Sequence, residues 1–192
     1  LTYKPAIELI PDTTEITSGN VIVTAKYTSF ITGDKTLTCT GTAGVDYVIN
    51  GTESVTVMTN NQTITATGKD AEGKIYTNDL TISNIDRTGP TITLGANSNT
   101  TWAQTGSVEV KLQDTASGLA SGASVKYGWS TSNSTQPSSY TIATLPSYTA
   151  GTTSDVTFTA EASGLTGKYY LWVVPTTLAD TAGNTQTTTV KS

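Results

Sequence analysis

Few residues in this sequence can do acid–base or nucleophilic chemistry, and their types narrow the possibilities at once. There is no histidine. That excludes His-based triads, the commonest general base and most zinc sites together. The single cysteine, Cys39, can form no disulfide within the chain. It lies in "TLTCT" in step with Leu37, which predicts a small buried side chain and not a nucleophile. Paired carboxylates are the remaining route to hydrolysis. The candidates are Asp12 with Glu15, Asp70 with Glu72, and Asp155 with Glu161. All sit near turns or strand ends, where Asp hydrogen-bonds its own backbone. Turn chemistry and solvation account for each pair, so the expectation is no enzyme, no catalytic residue and no cofactor.

A Lys–Asn isopeptide bond is a further covalent possibility, known in some surface sandwiches. It requires a Lys, an Asn and a buried carboxylate in contact on neighbouring strands. Lys4, Lys26 or Lys111 could serve with Asn78, Asn84 or Asn184, and no spacing selects a trio. Aromatic residues offer binding chemistry. In "KYYLWVV", alternation puts Tyr169, Leu171 and Val173 on one strand face and Tyr170, Trp172 and Val174 on the other. Trp129 alternates with Val125 and Tyr127 and is expected to be mostly buried. Trp102 is expected to cap a core.

The elements that must position these residues are strands. Charged residues are only 13% of the chain, yet runs such as "VIVTA", "SVEVKL" and "DVTFTA" alternate with period two and can bury one face. Threonine, the commonest residue, is β-branched and suits a pleated surface. No segment shows helical periodicity, and none reaches the roughly 18 apolar residues of a membrane span. The net charge is -5, without the clustered Lys and Arg that nucleic acid binding needs. No basic-apolar leader begins the chain, and "TTTVKS" stops within strand-like sequence. The reading is an excised piece of a longer protein. A disulfide-free, Thr-rich, acidic composition suits the exterior of a bacterium.

The strands fall into two copies. "PAIEL" from Pro5 matches "PTITL" from Pro90, and "GNVIVTA" from Gly19 matches "GSVEVKL" from Gly106 at nearly the same separation. "KDAEGK" at 69–74 and "ADTAGN" at 179–184 both precede a final strand, at a wider separation. The second copy therefore carries an insertion, placed at 131–153 around "STSNSTQPSSY". Expected strands in the first copy are 5–10, 20–28, 35–40, 45–49, 54–58, 62–67 and 75–83. In the second they are 90–95, 107–113, 124–131, 139–143, 154–160, 168–174 and 185–190. Seven short strands per copy point to two Greek-key sandwiches, 1–87 and 88–192, arranged end to end through a short linker.

The residues at this junction resemble a family. "DRTGPTI" is similar to the junction between tandem immunoglobulin-like modules of bacterial surface proteins. So are Trp102 ahead of "GSVEV", the run Asp114-Thr115-Ala116-Ser117-Gly118-Leu119, Tyr127 with Trp129, and "DTAGN" at 180–184. The first copy shares less, with Asp70-Ala71-Glu72-Gly73-Lys74 in place of the last motif. The resemblance implies an all-β fold of two tandem immunoglobulin-like sandwiches and an extracellular location, cell-surface or secreted. It names no ligand.

In the family pattern Tyr169, Leu171 and Val173 turn inward. Tyr170 and Trp172 then form an outward pair able to bind a sugar ring or a neighbour, and cover by the 131–153 insertion is the competing reading. In such a sandwich the loops carrying Asp114 and Asp180 lie at the N-terminal end of the second module. Asp86 and Arg87 arrive there, so these four residues are expected to form the contact between modules, with Arg87 paired to Asp114 or Asp180. Calcium is the rival use of Asp86, Asp114 and Asp180, opposed by Arg87 beside them, and no metal is expected. The function expected is a non-catalytic spacer or adhesive stalk segment, an adhesin module. Its partners would be neighbouring modules of the same polypeptide and a host or cell-wall glycan or protein. The alternative is an accessory carbohydrate-binding region of a secreted glycoside hydrolase.

Overall fold

The computed structural model describes residues 6–96 and 105–192. No helix forms among them, and so none is long and apolar enough to cross a membrane. The chain divides into two compact units, Leu1–Arg87 and Thr88–Ser192.

The first unit has strands β1 (Ile7–Pro11), β2 (Val21–Tyr27), β3 (Lys35–Cys39), β4 (Tyr47–Asn50), β5 (Ser54–Val57), β6 (Gln62–Lys69) and β7 (Ile75–Ile82). They form one sheet in the order β1-β2-β5-β4 and another in the order β3-β6-β7, with every pairing antiparallel. In β2, Val21, Val23 and Ala25 are buried while Ile22, Thr24 and Lys26 face solvent. Val23 stands opposite Val55, and Leu37 of the other sheet stands opposite Ala66. These side chains, with Ile64, meet in one core between the sheets, as in a β-sandwich. Each fully buried Val or Ile contributes about 1.5–3 kcal/mol.

Cys39 is partly buried at the edge of this core, less deeply than expected. Burial, and then the nearby Asp46 carboxylate, push its thiol pKa up, which disfavours the nucleophilic thiolate.

The second unit has β8 (Thr91–Leu94), β9 (Thr105–Gln113), β10 (Ser124–Ser130), β11 (Thr141–Ile142), β12 (Val156–Ser163), β13 (Tyr170–Thr177) and β14 (Val190–Lys191). Its sheets run β12-β9-β8 and β11-β10-β13-β14. Val108, Val110 and Leu112 meet Val156, Phe158, Val125, Leu171 and Val173 in a single core. The final strand is shorter than the expected 185–190. The side chain of Gln186 takes the Thr188 N–H at 2.8 Å, removing it from a ladder. The expected 139–143 strand contracts to β11.

Trp129 is mostly buried, as expected, with a minor part of its surface accessible. Its ring packs on the core, while its indole N–H reaches the Glu161 carbonyl at 3.0 Å near the surface. A polar tip that finds its partner at the rim keeps part of the ring wet. The expectation for Trp102 lies outside the described residues, as does Lys4.

Candidate functional site

The outer face of β10, β13 and β14 is where the aromatic pair was expected. Of the expected inward set, Leu171 and Val173 are fully buried in the core, while Tyr169 is half-buried. The expectation that Trp172 stands at least partly exposed is corrected, because Trp172 is only 7% exposed. It is on the outer face, but that face is covered. Gly128 lies directly opposite Trp172 on one side and Lys191 on the other. A Cβ on Gly128 would come within 2.5 Å of the Ser139 carbonyl and 3.0 Å of the Pro137 ring, so the segment after β10 lies on this face. The Lys191 ammonium sits 5.0 Å from the centre of the Trp172 ring and donates to the Asn133 carbonyl.

The covering segment is stitched to itself. Ser130 Oγ donates to the Thr135 carbonyl at 2.7 Å. Ser132 Oγ accepts the N–H groups of Ser134 and Thr135, both at 3.1 Å. Tyr140 donates to Gln136 at 3.0 Å, and its ring lies 4.7 Å below the Lys126 ammonium. Tyr170 is half-buried, with the Lys168 ammonium 5.0 Å from its ring centre. The rest of the insertion is structural too. Ala143 is buried, Tyr148 packs on the core, and the Tyr148 hydroxyl donates to the Ala120 carbonyl at 2.7 Å while accepting the Ala123 N–H at 2.9 Å.

Asp114 and Asp180 are buried within the second unit. Asp114 Oδ1 accepts the N–H groups of Ala116, Ser117 and Gly118 at 3.1, 2.8 and 2.9 Å, and the Ser117 hydroxyl at 3.3 Å. Asp180 accepts the Asn184 N–H at 2.8 Å and the Asn184 amide at 2.7 Å. The two loops are brought together: Thr181 donates to the Gly118 and Ser117 carbonyls. Carboxylate oxygens of the two residues lie within 4.8 Å of each other. Both residues act as turn formers.

The other two junction residues belong to the first unit. Asp86 is buried and its N–H bonds the Thr17 carbonyl at 2.8 Å. Arg87 donates through Nε to the Met58 carbonyl at 3.0 Å and through Nη2 to Asn20 Oδ1 at 2.6 Å. These bonds commit two of its donors within its own unit.

The carboxylates considered for hydrolysis have local uses. Asp12 accepts the Ile22 N–H at 3.0 Å. Asp155 pairs with Lys111 at 3.2 Å, across an exposed cross-strand position. Asp70 Oδ1 accepts the Glu72 and Lys74 N–H groups at 3.1 and 2.8 Å, and Oδ2 accepts the Tyr76 hydroxyl at 3.1 Å. Of the isopeptide candidates, Lys26 is exposed. Asn78 and Asn84 donate to the backbone carbonyls of Ile7, Thr13 and Glu15. These arrangements do not set a buried Lys beside an Asn and a carboxylate.

One concavity was not foreseen. Ser29, Phe30 and Thr32 of the β2–β3 loop, with Asp70, Ala71, Glu72 and Tyr76 of the β6–β7 hairpin, line a dish of about 370 Å³ in the first unit. Its sequence signal is "SFIT", where two large apolar residues are adjacent and break the alternation. No protein-family model matches the chain, and no curated protein matches it either.

Proposed function

We propose that the chain is a pair of non-catalytic extracellular immunoglobulin-like modules, a spacer or adhesive stalk segment of a larger bacterial surface protein. The observation that carries this reading is the strand order of the first unit. Its sheets run β1-β2-β5-β4 and β3-β6-β7. A constant-type immunoglobulin sandwich has the same division, the first, second, fifth and fourth strands against the third, sixth and seventh. The second unit has β8, β9 and β12 in one sheet and β10, β13 and β14 in the other, with β11 added beside β10. That is the same order with its fourth strand transferred.

A fold of this kind hosts many functions, so the non-catalytic part needs its own support. It comes from the carboxylates. Asp114 accepts four donors and Asp70 three, all within or beside their own turns. Such groups fix loop geometry and are poorly placed to move protons to a substrate. In this reading the partners are neighbouring modules of the same polypeptide and a host or cell-wall glycan or protein. Two measurements test it. Chromogenic glycoside, ester and peptide substrates should show no turnover, and antibodies to the chain should label intact cells of the source organism. Turnover that disappears in Asp70→Asn or Asp114→Asn would overturn the non-catalytic part, and labelling only after lysis would overturn the surface location.

The second reading, an accessory carbohydrate-binding region of a secreted glycoside hydrolase, places its sugar on Tyr170 and Trp172. The burial of Trp172 weighs against stacking on that face.

A further inference from the structure

The β4–β5 hairpin sets an asparagine directly before a glycine at the end of an edge strand. Asn50 is the last residue of β4 and pairs with Ser54, so Gly51, Thr52 and Glu53 form the turn. It is the one asparagine in the sequence that glycine follows. Both Asn50 and Gly51 are exposed. Gly51 has a φ of +72°, and nothing lies within 4 Å of where its Cβ would stand. That conformation favours glycine, and with no side chain the Gly51 nitrogen is unscreened. The rest of the turn is tied down. The Thr52 carbonyl accepts the Tyr27 hydroxyl at 3.1 Å, and the Glu53 carbonyl accepts the Ala25 N–H at 2.8 Å. The Gly51 N–H donates to no backbone carbonyl among the described residues. One exposed hydrogen bond restrains the Asn50 amide, from Nδ2 to Thr56 Oγ1 at 3.1 Å. Other asparagines differ in both respects. Asn20 and Asn84 precede the branched Val21 and Ile85, and their amides are held by Arg87 and by the Thr13 and Glu15 carbonyls.

We infer that Asn50 is a site of spontaneous deamidation, with the Gly51 nitrogen as nucleophile and water as the co-reactant. The Gly51 N–H gives up its proton to base, and the nitrogen attacks the Asn50 side-chain carbonyl carbon. The new N–C bond closes a succinimide ring. The bond from that carbon to Nδ2 breaks, and ammonia leaves with a proton from the solvent. The attack is intramolecular, so it needs no encounter between separate molecules. Water then opens the ring at one of its two carbonyls, and nothing is oxidised or reduced. Opening at the side-chain carbonyl gives aspartate at position 50. Opening at the main-chain carbonyl gives isoaspartate, in which the former side chain carries the backbone. Either product adds a negative charge and removes the amide donor to Thr56. Isoaspartate also lengthens the main chain at the end of β4. That strand is at the edge of its sheet and is held by β5 alone, so the added atom disturbs the pairing of Tyr47–Asn50 with Ser54–Val57. The site is separate from the carboxylates and aromatics described above and does not rest on the stalk reading.

The test is incubation of the folded chain in warm, mildly alkaline buffer made with heavy-oxygen water, followed by ion-exchange separation and peptide mapping. A more acidic species should accumulate, faster as pH rises, and its changed residue should map to position 50. Both aspartate and isoaspartate should be present there, with heavy oxygen in the new carboxylate. Asn50→Gln keeps an amide but would need a larger ring, and the acidic species should be lost in it. Gly51→Ala screens the nitrogen and should slow the change. Amide spectra unchanged away from the hairpin would show that each variant folds. In the isolated isoaspartate form the amides of residues 47–50 should exchange with solvent faster than in the unmodified chain. Three results would overturn the inference: an intact amide at Asn50 while other asparagines of the folded chain convert, conversion to aspartate without any isoaspartate, or an acidic species that forms undiminished in Asn50→Gln.

Discussion

At the scale of single residues, carboxylates do most of the specific work. Asp114 Oδ1 alone satisfies three backbone N–H groups and a hydroxyl in a buried turn. Hydrogen bonds to a charged acceptor contribute about 1.5–3 kcal/mol, and buried donors left unmatched cost about 1–3 kcal/mol each. Asp114→Ala should therefore lower the stability of the second unit by at least about 2 kcal/mol, read from urea unfolding. Asp46 gives a pH prediction. Its pKa is held below the ordinary carboxylate value, first by the Thr42 N–H at 2.8 Å and then by the Thr59 hydroxyl at 2.9 Å. A depressed folded-state pKa means that the folded state favours the ionised form. The stabilisation is present above the unfolded-state pKa, about 4, and is lost as pH falls through the lower folded-state value. Acid unfolding of the first unit followed at several pH values should show this loss, and Asp46→Asn should flatten it.

Among the elements, the covered sheet face of the second unit offers the sharpest test. The segment 131–140 lies on β10 and β13 because Gly128 has no side chain to hold it off. Gly128→Ala would place a methyl 2.5 Å from the Ser139 carbonyl, which backbone cannot absorb without moving. The variant should lose about 1–3 kcal/mol of stability, as overpacked sites do. It should also raise the fraction of tryptophan fluorescence quenched by iodide, because lifting the segment uncovers Trp172. Unchanged quenching with the fold intact would show that something other than this segment buries the indole.

For the whole molecule, the consequence of two cores is two unfolding events. The first unit's core is centred on residues such as Ile64 and the second's on residues such as Leu171, each fully buried. Truncating a buried Leu or Ile to Ala costs about 2–5 kcal/mol. Ile64→Ala should lower only the transition assigned to residues 1–87, and Leu171→Ala only that assigned to 88–192. Calorimetry of the two variants, with each unit also expressed alone to assign its transition, checks this. A single shared transition displaced by both substitutions would contradict it.

The strands were legible because their signal is local. Alternation in "VIVTA" is enough to bury Val21, Val23 and Ala25 and expose the residues between, since side chains on a strand alternate faces whatever they pack against. The same rule put Leu171 and Val173 on one face, and the family pattern, not the alternation, turned that face inward. Alternation could say that Trp172 faces the other way, but not whether that face is wet. The answer depended on Gly128 across the sheet, on Pro137 and Ser139 in a polar loop, and on Lys191 near the chain end. Arg87 is similar. Its type and position marked it as a donor, but two of the atoms that receive its bonds are a Met58 carbonyl and Asn20 Oδ1, which have no pattern to announce them. Phe30 was overlooked because only the seating of Ile31 against Gly68 turns its ring outward. Strand identity and facing followed from backbone geometry, which repeats every two residues. Cover, hydrogen-bond partners and concavity were decided by contacts between residues far apart in the chain, and those depend on how loops without periodicity settle on the sheets.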